Sequence, residues 1–373
     1  VAADATITNG TIKAYTGKNA ILVNDGDVKL EKLTITGEAY KAALVEVTGN
    51  STVTVAADTT LRGTTTDRNN ASPAIYIYGA TTDEHPTVHI YGDVSTANGY
   101  TVAGNGAKYG ATEINIYDGA SVKSDKRAAM FLTQPGVTNI MGGTVEGYCA
   151  IGLKSGTLNI SGGTVRGNAN DDQIDDGYSR TDGIAYDGSA ILVDSYIAGN
   201  SGYAGDIHIN ITGGTVESLH STAIREIGNT TGTNITALTV SGGKVLGAAN
   251  HDAILVRTAT RAAVSVSGGS FSSAVPADFC AEGYMPATNA DGTFGVVSSY
   301  EAVVDGTYYE DVDEALTAWA TNGGTLKLLA DCETEANGSF NVLKDATLDL
   351  GGKTLTLGAN KYINSPYCLD GTY

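Results

Sequence analysis

The chain has 373 residues, among them 48 glycines, 6 prolines and 20 tyrosines against 5 phenylalanines and 1 tryptophan, a strand-and-turn composition that excludes a disordered Pro/Gly tract. Its formal net charge of −19 repels nucleic-acid phosphates and anionic lipid, so neither is expected as a partner. No run of 18 apolar residues is present, so no membrane insertion is expected, and the acidic surface suits a secreted, extracellular protein able to recruit cations.

The opening segment VAADATITNGTIKAYTGKNAILV (1–23) starts at Val1 without Met and without a signal-peptide pattern, which predicts a processed or trimmed N-terminus. It reads as the middle of a coil with no cap ahead of it, so Ile7 and Ile12 need a layer beneath them. From there an Ala-apolar pair recurs: Ala20-Ile21, Ala43-Leu44, Ala74-Ile75, Ala129-Met130, Ala150-Ile151, Ala190-Ile191, Ala223-Ile224 and Ala253-Ile254. The long interval between Ala74 and Ala129 hides one further turn near GYTVAG (99–104). Five segments between 138 and 271, among them LNISGGTVRG (158–167) and INITGGTVES (209–218), alternate apolar and polar residues up to a Gly-Gly bend. Units of about 20–33 residues, recurring about nine times without helices between them, predict an all-β solenoid, a parallel β-helix of about nine to ten coils.

Three clusters attract attention as candidate sites. AIYIYG (74–79), HIYGD (89–93) and NIYDG (115–119) place Tyr76, Tyr78, Tyr91 and Tyr117 at outward positions, and Tyr91 and Tyr117 align with Met141 and Ser161 in the stacked register. An exposed aromatic face of this kind contacts a glycan or a protein of a host or bacterial surface, or stabilises the sheet by cross-strand packing. The insertion GNANDDQIDDGYSRTDGIAYDG (167–188) gathers Asp171, Asp172, Asp175 and Asp176, which read either as a solvated acidic loop or as oxygen ligands for calcium. The four cysteines, Cys149, Cys280, Cys332 and Cys368, show no C-x-x-C spacing; a Cys332–Cys368 bridge and small buried thiols are both open readings.

The SGGTV turns and the segment SGGSFSSAVPADFCAEGYMPATNADGTFGVV (267–297) resemble secreted bacterial surface proteins with a pectin-lyase-like, right-handed parallel β-helix. The resemblance implies the right-handed coil and an extracellular or cell-surface location. It does not imply an activity, because the same coil carries polysaccharide lyases, glycoside hydrolases, adhesins and stalks. The Gly-His-Gly and Arg-x-Lys of the family's galacturonan hydrolases are missing here, so no catalytic residue is assigned.

After Ser298 the repeat breaks, predicting a β-helix over 1–298 and a strand–helix–strand capping unit over 299–373. Its helix is expected at about 311–321, with Asp311 and Glu314 as a capping box, and Gly323-Gly324 as its end. The closing stretch KDATLDLGGKTLTL (344–357) looks like the first turn of a new coil, and written ahead of residues 1–23 it continues into them. Leu348, Leu350, Leu355, Leu357 and Tyr373 are therefore expected to meet Ile7 and Ile12 of another copy, or of the next repeat in a tandem array, giving a rod. The expected function is a structural or adhesive surface protein whose partners are copies of itself; the alternative is a secreted polysaccharide lyase or glycoside hydrolase.

Overall fold

The structure is a computed structural model that describes residues 1, 3–15, 17–38, 42–67, 71–106, 110–170, 187–194, 205–228 and 234–364. It is an all-β protein built on parallel strands, with a single α-helix among the described residues, Val312–Asn322. Contacts divide it into a larger unit of residues 1–279 and 286–295 and a smaller unit of residues 280–285 and 296–373. The division differs from a cut at 298 because residues 280–285 pack with the smaller unit, where Ser299 N donates to Gly283 O at 2.8 Å.

In the larger unit the strands from Ala5 to Phe271 pair in parallel with the strand one repeat later, so like residues stand in columns, and Phe294 closes the series antiparallel to Phe271. Ile7 heads one such column and is followed by Leu30, Val55, Ile90, Ile116, Ile140, Ile160, Ile211, Val240 and Val266. Ile12 heads a second, followed by Ile35, Leu61, Val94, Val122, Val145, Val165, Val216, Val245 and Phe271. Strict alternation makes these columns, because a period of two sends every second side chain to one face. The Gly-Gly bends recur at the same level: Gly163, Gly214 and Gly243 have φ of 70°, 72° and 76°, and a Cβ on any of them would lie 2.5–2.6 Å from a carbonyl oxygen of the repeat before. Only glycine meets both demands at once.

A separate nine-stranded sheet carries the Ala-apolar pairs, with Ile21, Val45, Ile75, Val102, Met130, Ile151, Ile191, Ile224 and Ile254 in one column. Val102 supplies the rung hidden in the long interval. One pair differs from expectation: Leu44-Val45, not Ala43-Leu44, occupies the rung, with Ile21 N donating to Leu44 O at 2.9 Å. Val45 and Val47 set that register, since they must face inward while Glu46 and Thr48 face out.

The smaller unit has its own core of Ala302, Val304, Val312, Ala315, Leu316, Trp319, Ala320, Leu326, Leu328, Cys332 and Phe340. The helix begins where the Asp311 side chain accepts from Glu314 N at 3.0 Å, and it ends at Gly323, with φ 77°. Beneath it lie two layers of three short strands: Gly324–Leu328, Cys332–Glu333 and Gly338–Asn341, then Ala346–Asp349, Leu355–Thr356 and Lys361–Asn364. Each strand of the second layer pairs in parallel with its counterpart in the first.

Candidate functional surfaces

In the larger unit the two long columns are buried to 0–1% exposure from Leu30 and Ile35 onward, whereas Ile7 and Ile12 are only half-buried. The cause is local: the Ala5–Ala14 strand pairs with Asp27–Gly37 on one side and has no strand on its other side among the described residues. Beside it, Val1 already sits as a rung below Val23: the Val1 ammonium donates to Leu22 O, and Asn24 N donates to Val1 O at 2.9 Å. Tyr15 is exposed at the same level.

The smaller unit shows the converse arrangement. Leu326, Cys332 and Phe340 are buried under the helix, while their partners in the second layer, Leu348, Leu355 and Ile363, are half-buried or exposed. Leu350 and Leu357 are exposed, and Tyr373 lies outside the described residues. The Ala346–Asp349, Leu355–Thr356 and Lys361–Asn364 strands each carry one unpaired edge among the described residues.

The four tyrosines do not form one face. Ile75–Ile77 belongs to the nine-stranded sheet, which places Tyr76 and Tyr78 there, whereas Tyr91 and Tyr117 follow strands of the larger sheet. All four are half-buried. Tyr91 and Tyr117 cover each other, with ring centroids 4.0 Å apart and planes at 9°. Burial and the hydrogen bond to Tyr91 push the Tyr117 phenol up to about 12. Met141, Ser161 and Thr212 continue their column, since each N–H donates to the carbonyl one residue before its neighbour in the preceding repeat.

Next to that column runs a feature the sequence reading passed over. Asn139 Nδ2 donates to Asn115 Oδ1 at 2.8 Å, Asn159 Nδ2 to Asn139 Oδ1 at 2.9 Å, and Asn210 Nδ2 to Asn159 Oδ1 at 2.9 Å. Thr239 Oγ1 adds to one end at 2.7 Å, and His89 Nδ1 lies 3.3 Å from Asn115 Nδ2 at the other. The recurring Asn between two apolar residues was the available signal. On another outward column, Lys123, Glu146, Arg166 and Glu217 alternate in charge, with contacts of 2.9, 3.3 and 2.6 Å.

Asp171, Asp172, Asp175 and Asp176 lie outside the described residues, as does Cys368, so the calcium and disulfide expectations fall there. Among the described residues no group of three or more His, Cys, Asp or Glu is placed to hold a metal ion. The buried carboxylate of Glu226 is engaged by Arg257 at 3.1 Å and by the backbone N–H groups of Ile235 and Arg257, and Asp187 pairs with Arg225 at 2.8 Å. No helix is long and apolar enough to cross a membrane among the described residues.

On the outside of the nine-stranded sheet, Glu46 is held by two donors, Asn19 Nδ2 at 2.6 Å and Tyr78 Oη at 3.0 Å. Burial and the hydrogen bond to Glu46 raise the Tyr78 phenol above its ordinary value. Comparison with protein-family models, with curated proteins and with solved structures finds no match.

Proposed function

We propose that this chain is a right-handed parallel β-helix of the pectin-lyase-like kind, with about nine to ten coils, that serves as an extracellular structural or adhesive surface protein. In this reading it assembles into a rod, with the C-terminal unit of one copy covering the N-terminal coil of the next, non-covalently or in a tandem array. One observation carries the assembly: Ile7 and Ile12 are the half-buried first members of columns that are otherwise fully buried, and Leu348, Leu355 and Ile363 are, among the described residues, the half-buried or exposed last members of short columns in the smaller unit. Each of these layers belongs to parallel strands with one unpaired edge among the described residues, and stacking supplies both the missing hydrogen bonds and the apolar cover. Such a contact uses two different surfaces, so it does not close on itself and propagates.

The coil register supports the β-helix, because every inward column above advances by one coil per strand. The acidic surface supports a location outside the cell, where solubility at high local density matters. Electron microscopy of the native material tests the reading. Rods one coil wide are expected; single short particles at every concentration would refute the assembly.

A further inference from the structure

The outer face of the nine-stranded sheet carries a groove of about 630 Å³ in the larger unit, inside the range of about 300–1,000 Å³ for small-molecule sites. Its floor runs over the outward residues of four neighbouring strands, where Glu46, Tyr76, Ala103 and Phe131 stand in one column. Small residues open it: Ala42, Ala43, Ala71 and Gly104 line it where larger side chains would close it. Aromatic rings and polar groups both line the groove. Tyr76 is half-buried, Tyr100 stacks on Phe131 with centroids 4.8 Å apart, and Glu46 is fixed between Asn19 and Tyr78 with Lys18 at the rim.

We infer that this groove binds a neutral saccharide, with a pyranose ring lying on Tyr76 and its hydroxyls meeting Glu46, Asn19 and Lys18. The choice of ligand follows from what the floor lacks and what it holds. The strands under it, Val45–Thr48, Ile75–Ile77 and Val102–Ala103, are paired on both sides, so no backbone edge is free to take an extended peptide. A carboxylate at the floor of a chain of net charge −19 disfavours polyanions, whether nucleotides or uronate polymers. Lipid is disfavoured because it would strip water from the Glu46 and Lys18 charges and offer no hydrogen bond in exchange. A sugar ring has an apolar C–H face for the tyrosine and hydroxyls that both donate to the carboxylate and accept from the amide and ammonium. The two bonds to Glu46 fix its position before a ligand arrives, which lowers the ordering cost of binding.

This inference stands apart from the assembly reading, since Glu46, Tyr76, Ala103 and Phe131 lie beyond the first layer; of the residues that meet the sugar, only Lys18 and Asn19 come from the repeat that carries Ile7 and Ile12. The test is calorimetric titration of the full chain with cellohexaose, maltohexaose, chitohexaose and hexagalacturonate, with light-scattering mass recorded on the same samples. At least one neutral hexasaccharide is expected to bind at millimolar concentration or below, and hexagalacturonate at least about tenfold more weakly. Tyr76→Ala and Glu46→Gln are each expected to weaken the neutral sugar about tenfold or more, with the scattering mass unchanged and the protein folded by circular dichroism at the titration temperature. Tyr362→Ala, on the smaller unit, is expected to leave binding as it was. Absence of binding by all three neutral sugars overturns the inference. So does binding that both groove variants leave intact, or equal binding of hexagalacturonate. A change in mass without a change in sugar binding bears on the assembly and leaves the groove standing.

Discussion

Asn159 donates its side-chain amide to Asn139 across 2.9 Å, although the two residues are 20 positions apart in the chain. The same amide group accepts from Asn210, so Asn159 is the middle of a hydrogen-bonded file that crosses four parallel strands. An amide both donates and accepts, so identical side chains stacked in parallel can satisfy one another. The file also fixes register, because a slip of one residue would turn every amide into the apolar interior. Asn159→Ala removes one donor and one acceptor and leaves two part-buried neighbours short of a partner. The expected loss is about 1–3 kcal/mol, read by urea denaturation. Thr239→Ala, at the end of the file, is expected to cost less. Equal small effects at both positions would mean that water replaces the bonds.

The charge column gives a pH dependence with a definite sign. Burial pushes the Glu146 carboxyl up, but the hydrogen bonds from Lys123, Arg166 and Asn168 and the Lys123 charge more than offset it, and it lies below its ordinary value. A carboxyl held low in the fold stabilises it above the unfolded value near about 4.3 and loses that contribution as pH falls through the folded value. Thermal melts of the parent and Glu146→Gln should therefore differ at pH 7 and converge as the pH falls through the folded value, which lies below the ordinary one. A gap that persists unchanged into acid would contradict the assignment. Because these groups are partly exposed, the gap should also shrink in high salt.

Cys332 is buried under the helix of the smaller unit, with its Sγ 3.2 Å from Ala330 O. Burial, with the nearby charges of Glu301 and Asp331, pushes its thiol up to about 11. The thiolate is the reactive form, so Cys332 should resist iodoacetamide at pH 8 in the folded protein and react once denaturant is added. Mass spectrometry of alkylated peptides reads the outcome. Rapid labelling of Cys332 in native protein would contradict its burial.

Trp319 is the chain's single tryptophan, and its Nε1 donates to Thr347 O at 2.9 Å, tying the helix to the second strand layer. Its fluorescence therefore reports on the smaller unit alone. Trp319→Phe should lose about 0.5–1.5 kcal/mol through the hydrogen bond. Trp319→Ala should lose about 3–5 kcal/mol and unfold the smaller unit first. Denaturation followed by fluorescence for the Phe variant's parent and by circular dichroism for the variants separates the two. A Trp319→Ala protein with an unchanged unfolding curve would show that the helix does not hold this layer.

Much of the architecture was written in the alternation. Val165, Val216, Val245 and Phe271 stand in one buried column because each follows its Gly-Gly bend at the same distance. The rung at Val102 was legible as a gap in spacing. Leu44 was harder, because Ala43 and Leu44 are both buried and only the Val45–Glu46–Val47 alternation fixes the register. In the smaller unit Cys332–Glu333 and Lys361–Asn364 are rungs of two and four residues rich in polar groups, too short for a periodic signal. The tyrosines were read as one surface because their local motifs match, yet strand pairing sends Tyr76 and Tyr91 to different sheets. The asparagine file was hidden for the opposite reason: an outward Asn looks like any solvated residue until the strands are paired.

The central claim is that Ile7 and Ile12 of one copy lie under Leu348, Leu355 and Ile363 of another. Light-scattering mass against concentration tests it most directly, for the parent and for Leu348→Lys with Leu355→Lys. The account predicts a parent mass that climbs in multiples of 38.2 kDa, and a variant that stays at one chain. A parent that remains at one chain throughout, or a variant that polymerises equally well, would contradict it.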